Sequence, residues 1–164
     1  EPSPIETSAR LSVANETRED VRATVRWALR AADAAVVQEG IMEAAVPALS
    51  SVWLDKLTFD EMDYRENYLS YELYLHGERV SGGTVLFTAP KHYRFRDPKL
   101  TYSIDGDTIT VKAAAYARMV EIDSPESDLV LSDNYFDMNA GSVTVKILEG
   151  MPKTLRLRSV YDIR

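Results

Sequence analysis

No cysteine occurs among the 164 residues of this chain. Disulfides, thiol nucleophiles and thiolate metal centres are therefore excluded. A domain of adequate size holds together without disulfides, so this absence does not fix the compartment. Histidine is nearly absent too: His76 sits at a turn and His92 in a polar stretch. Around neither can a nucleophile, base and orienting acid be assembled. No apolar run approaches the ~20 residues that span a bilayer. No basic start followed by an apolar stretch marks a signal peptide. Glycine is sparse, and the one adjacent pair, Gly82-Gly83, precedes strand-type residues rather than the helix a phosphate-binding loop requires. Basic residues are outnumbered 19 to 26, for a net charge of −7. That balance argues against a nucleic-acid partner, which needs a basic face to neutralise phosphates.

What the chain does have is alternation. In Tyr68–Leu75 the residues Leu69, Tyr71, Leu73 and Leu75 fall on one side, the period-two mark of a half-buried strand. Short strands are expected at Thr84–Phe87, Leu100–Ile104, Thr108–Ala113, Met119–Ile122, Leu129–Leu131, Val143–Ile147 and Thr154–Val160. Gly77, Pro90, the Asp105-Gly106 pair and Pro125 punctuate them. Many short strands at intervals of about ten residues indicate a sandwich.

The N-terminal part is more ambiguous. Ala9–Val13, Ile41–Val46 and Val52–Leu57 read as strands. Val21–Arg30 fits two patterns. As a strand it buries Ala23, Val25, Trp27 and Leu29; as a helix it aligns Val21, Val25, Ala28, Ala32 and Val36. Charge divides the chain unevenly, with six basic and twelve acidic groups in residues 1–64 and thirteen and fourteen in 65–164. The acidic stretch Thr58–Glu66 is therefore expected to be a linker. The expected domains are 5–60 and 65–164.

The run Ser132-Asp133-Asn134-Tyr135-Phe136-Asp137, before a turn at Gly141 and a strand at 143–147, is the most specific stretch. It resembles the C-terminal region of the β-mannosidases of glycoside hydrolase family two. Asn67–Leu73, and Leu86–Lys91 with Asp97-Pro98, resemble the first two strands of that family's C-terminal immunoglobulin-like domain. Val25-Arg26-Trp27-Ala28-Leu29 and Val46-Pro47-Ala48 are similar to the sandwich domain before it. The resemblance selects the strand for Val21–Arg30. It implies an all-β protein of two tandem immunoglobulin-like β-sandwich domains. Such enzymes release terminal β-mannosyl residues with two glutamates on a TIM barrel. A barrel needs ~250 residues, so none fits here, and no catalytic residue carries over. A chain opening at Glu1 without Met suits an excised fragment.

The implied role is that of a non-catalytic C-terminal accessory region whose partner is the parent enzyme's catalytic barrel. The alternatives are a carbohydrate-binding module that holds oligosaccharide, or an adhesion-type module. No catalytic, cofactor or metal residue is assigned. Asp133 and Asp137, four extended residues apart, are too distant for the ~5–5.5 Å of a retaining pair; turn carboxylates accept backbone N–H groups instead. The acids Asp123, Glu126 and Asp128, and the pair Asp105/Asp107, lack the spacing of a calcium loop. Lys91, His92, Arg94, Arg96 and Lys99 form a basic stretch in which Tyr93 or Phe95 is expected to pack inward. Tyr68 and Tyr74 fall on the outer face of their strand and are the candidates for sugar or barrel contact. The expected core of the second domain is Leu69, Tyr71, Leu73, Phe87, Ile109, Val111, Val130, Tyr135 or Phe136, Val145 and Ile147.

Overall fold

The structure, a computed structural model, describes residues 7–163. It is all-β, with two β-sandwich regions that form two compact units. The first takes the chain to Ala31 and then Val36–Tyr93; the second takes Ala32–Ala35 and the chain from Arg94.

In the first unit, β1 (Ser8–Ala9) and β2 (Ser12–Asn15) pair with β6 (Leu57–Thr58) and β5 (Ser50–Trp53), making a narrow broken ribbon. It packs on a four-stranded antiparallel sheet of β4 (Val36–Val46), β3 (Val21–Ala31), β7 (Asn67–Leu75) and β8 (Glu78–Leu86), in that order. Val21–Ala31 is thus a strand. Its odd-numbered residues from Val21 to Leu29 are buried, the inward set that alternation named. The helical stripe loses because Trp27 and Val25 need one common face, which only period two supplies here.

One row sets the shape of that core. Trp27 lies opposite Gly40 on one side and Tyr71 on the other, and Tyr71 lies opposite Gly83. A Cβ on Gly40 would stand 2.6 Å from the Trp27 ring, and one on Gly83 would stand 2.7 Å from the Tyr71 hydroxyl oxygen. Each central aromatic therefore lies over a position that only glycine leaves open. Phe59 meets Trp27 edge-on at 5.8 Å and Phe87 at 6.0 Å, closing the cluster from the loop side.

In the second unit β9 (Thr101–Asp105), β10 (Thr108–Ala113), β14 (Gly141–Glu149) and β12 (Val130–Leu131) form one sheet. The facing sheet holds β11 (Ala117–Asp123) between β13 (Phe136–Met138) and β15 (Arg156–Arg158), and a short helix α1 (Val160–Ile163) follows. Ile109, Val111, Val120, Ile122, Met138 and Val145 are buried between the sheets.

Several expectations need correction. The stretch 58–66 is no domain linker: Phe59 is buried in the first core, and β7 pairs with β3. The expected boundary between 60 and 65 thus falls inside the first unit, and the chain passes to the second at Tyr93/Arg94. The charge step misled because residues 65–93 carry three basic and three acidic groups, so they left no trace in the balance. Leu69, Tyr71, Leu73 and Phe87 belong to the first core, not the second. Val130, 46% exposed, and Tyr135, 57% exposed, are not core residues; Phe136 takes that role.

Two substitutions test the aromatic row. Trp27→Ala is expected to cost about 3–5 kcal/mol in urea unfolding, with the first unit unfolding at lower denaturant. Gly40→Ala is expected to cost about 1–3 kcal/mol by overpacking, whereas alanine at the exposed neighbour Glu39 should be near neutral. Phe136→Ala should destabilise the second unit. An unchanged midpoint in Trp27→Ala or Phe136→Ala would contradict the core assignment.

Candidate functional site

The two tyrosines chosen as contact candidates have different fates. Tyr68 is fully buried. It does point to the outer face of its sheet, but Tyr93 covers it edge-on at 6.5 Å, and the Tyr93 hydroxyl donates to the Glu66 carbonyl at 2.9 Å. Tyr68 is thereby removed as a contact residue. Tyr74 is half-buried. The Arg26 guanidinium lies 5.2 Å from its ring centroid, and its hydroxyl donates to Glu72 Oε2 at 3.0 Å. That hydrogen bond to a carboxylate holds the phenol above its ordinary pKa. Arg79 Nε bonds the same oxygen at 3.0 Å. One ring face and the hydroxyl of Tyr74 are thus already occupied. In the basic stretch, both Tyr93 and Phe95 are buried while Lys91, His92, Arg94, Arg96 and Lys99 are exposed.

The 132–137 run does structural work at the point where the chain leaves the sheet of β12 and β14 for the sheet of β13 and β11. Ladder hydrogen bonds stop at such a crossing, and side chains replace them. Ser132 Oγ accepts the Lys146 N–H at 2.8 Å. Asn134 imitates a backbone unit: Oδ1 accepts from Ile122 N–H at 2.9 Å, and Nδ2 donates to the Ile122 carbonyl at 3.0 Å. Asp137 Oδ1 accepts the N–H of Met119 at 2.9 Å, where β11 bulges and Met119 has a φ of +54°. Asp137 therefore acts as a turn carboxylate, and its other oxygen faces Arg118 at 3.6 Å.

The loop acids are likewise engaged. Asp123 pairs with Arg156 at 2.6 Å, which holds its carboxyl below the ordinary range. Glu126 ties its loop to 153–154: it accepts from the Thr154 hydroxyl, from Thr154 N–H at 3.2 Å, from the Ser124 hydroxyl at 2.9 Å and from Lys153 N–H at 3.4 Å. Thr154 above all lowers its pKa from the ordinary 4.5 to about 2. Among the described residues no group of three or more His, Cys, Asp or Glu is placed to hold a metal ion. None of their helices is long and apolar enough to cross a membrane.

Sequence reasoning passed over Trp53, which is 67% exposed. Alternation in Ser50-Ser51-Val52-Trp53 could have found it, since Val52 faces the core and Trp53 must then face out. Its outward neighbours on the ribbon are small: Ser12 lies opposite it, and Ala14 lies opposite Ser51. Arg10, exposed, is held at the same end by a 3.1 Å bond from Nε to the Leu54 carbonyl.

Two substitutions probe the second unit's polar ties. Because the folded pKa of Glu126 is depressed, its contribution is fully present above pH 4.5 and lost as pH falls through about 2. Glu126→Gln should therefore lower the melting temperature at pH 7, and the gap from the parent should close as pH falls across that window. A gap independent of pH would count against the carboxylate. Asn134→Ala should cost about 1–3 kcal/mol, because it strands the Ile122 backbone groups.

Comparison with known proteins agrees with this architecture. Residues 7–92 match the Mannosidase Ig/CBM-like domain, and residues 95–163 match an Ig-fold domain. No curated protein sequence gives a significant match. The solved structure of β-D-mannosidase from Dictyoglomus thermophilum is similar in fold, with a TM-score of 0.73 at 16% identity over 93% of this chain. This chain spans 20% of that one. Two sandwiches in this order, each matched along almost its whole length, place the chain in the Mannosidase Ig/CBM-like domain family, followed by its Ig-fold companion.

Proposed function

We propose that this chain is the non-catalytic accessory region of a longer β-mannosidase, packed on the catalytic barrel and supporting it. The observation that carries this is the succession of the two matched domains, together with the small share, 20%, of the Dictyoglomus thermophilum enzyme to which they correspond. The side chains support it as well. The conspicuous carboxylates Asp123, Glu126 and Asp137 are held by arginine or by backbone N–H groups, which is how structural acids are used. A general acid needs a raised pKa, whereas Glu126 moves the other way.

The purified chain is expected to leave a chromogenic β-mannoside intact, and turnover above a buffer blank would overturn the assignment. The supporting role has its own test. A β-mannosidase polypeptide that carries this region should melt at a higher temperature than the same polypeptide truncated before it. Equal melting temperatures would remove the packing role.

A further inference from the structure

We propose that Trp53 is a stacking platform for a pyranose ring, through which the first unit grips a β-linked saccharide. A pyranose presents one face of C–H groups and a rim of hydroxyls. Its recognition therefore calls for an open aromatic face with hydrogen-bonding groups around it. Trp53 meets the first requirement: it is the most exposed aromatic residue of the described chain, at 67%, and lies on the solvent side of a two-stranded ribbon. The second is met by its surroundings. Ser12 lies opposite it and Ser51 two residues before it, both exposed. Arg10 is tied through Nε to the next carbonyl along the strand, and the exposed Asp55 follows. Among the described residues no second large apolar side chain of β2 or β5 is exposed; the nearest exposed one before it in the chain, Leu49, stands four residues away at the turn.

That isolation separates a saccharide from a protein partner. Protein hot spots sit in well-packed pockets ringed by further contacts, whereas here the neighbours of the indole are Ser12, Ser51 and Ala14, with the polar Arg10 and Asp55 at the ribbon's end. The ribbon also pre-orders the site. Val13, next to the Ser12 that faces Trp53, is buried, and Leu54, the residue after Trp53, is buried too. The strand carrying the indole is thereby fixed, and little ordering is left to binding. Choosing mannosides as the first ligand rests on the function proposed above; the platform itself does not.

The whole chain contains two tryptophans, Trp27 buried and Trp53 exposed, so indole emission reports the site directly. Titration with β-1,4-manno-oligosaccharides is expected to give a saturable blue shift. A single-ring platform implies a Kd on the order of 1 mM. Trp53→Ala should abolish binding measured by calorimetry and leave the melting temperature unchanged, while Trp53→Tyr should retain binding by the same measurement. Three results would overturn the proposal: no saturable response to either the manno- or the cello-oligosaccharides, binding that persists in Trp53→Ala, or Trp53-dependent binding to a separately produced catalytic barrel without any sugar response. Cello-oligosaccharides run in parallel separate the platform from the parentage. A response to them alone keeps Trp53 as a pyranose platform and withdraws support from the mannoside reading.

Discussion

The first unit depends on a steric bargain across one row of its sheet. Trp27 and Tyr71, side by side on the central strands, are too large to share the core face unless the flanking strands yield space. Gly40 and Gly83 yield it by having no Cβ. Glycine in a strand is normally a loss of both entropy and packing surface. Here the rings recover that surface by covering the bare backbone, and Phe59 and Phe87 then close over them. Because Phe59 comes from the loop after β6, the same cluster draws the acidic stretch 58–66 into the domain.

The second unit solves a different problem. A sandwich strand that changes sheets must leave one hydrogen-bond ladder before it joins the next. Ser132, Asn134 and Asp137 bridge that gap with side chains, each addressing a named backbone group on β14 or β11. Phe136 and Met138 then anchor the arriving strand in the core. The motif is specific because four separate geometric demands fall within six residues.

Much of the fold was legible in the sequence because period-two alternation is a local property. The strands of Val21–Arg30, Tyr68–Leu75 and Thr108–Ala113 and their inward faces followed from it once the helical alternative was set aside. The division between units was not legible, because it depends on which strand β7 pairs with, and pairing is not local. Net charge could not reveal it either, since residues 65–93 are balanced. Val130 and Tyr135 failed as core residues for a related reason. Val130 lies on a two-residue edge strand at a register shift, and Tyr135 has a φ of +58° that turns its ring outward. Alternation does not survive a bulge or a left-handed residue.

The candidate site shows the same limit more sharply. Alternation assigns a face, and it placed Tyr68 on the outer face correctly; it does not report what lies over that face. Tyr68 is fully buried there, and a residue far along the chain, Tyr93, meets its ring edge-on. Tyr74, on the same face six residues along, instead meets charged neighbours that occupy its ring and hydroxyl. An aromatic side chain stays open to a ligand only where its cross-strand neighbours are too small to cover it and too neutral to bind it. On the β2–β5 ribbon Ser12, Ala14 and Ser51 meet both conditions beside Trp53, and Arg10 at that end has its Nε committed to the Leu54 carbonyl. The identity of the neighbours, rather than the abundance of tyrosine, is what marks an aromatic as available.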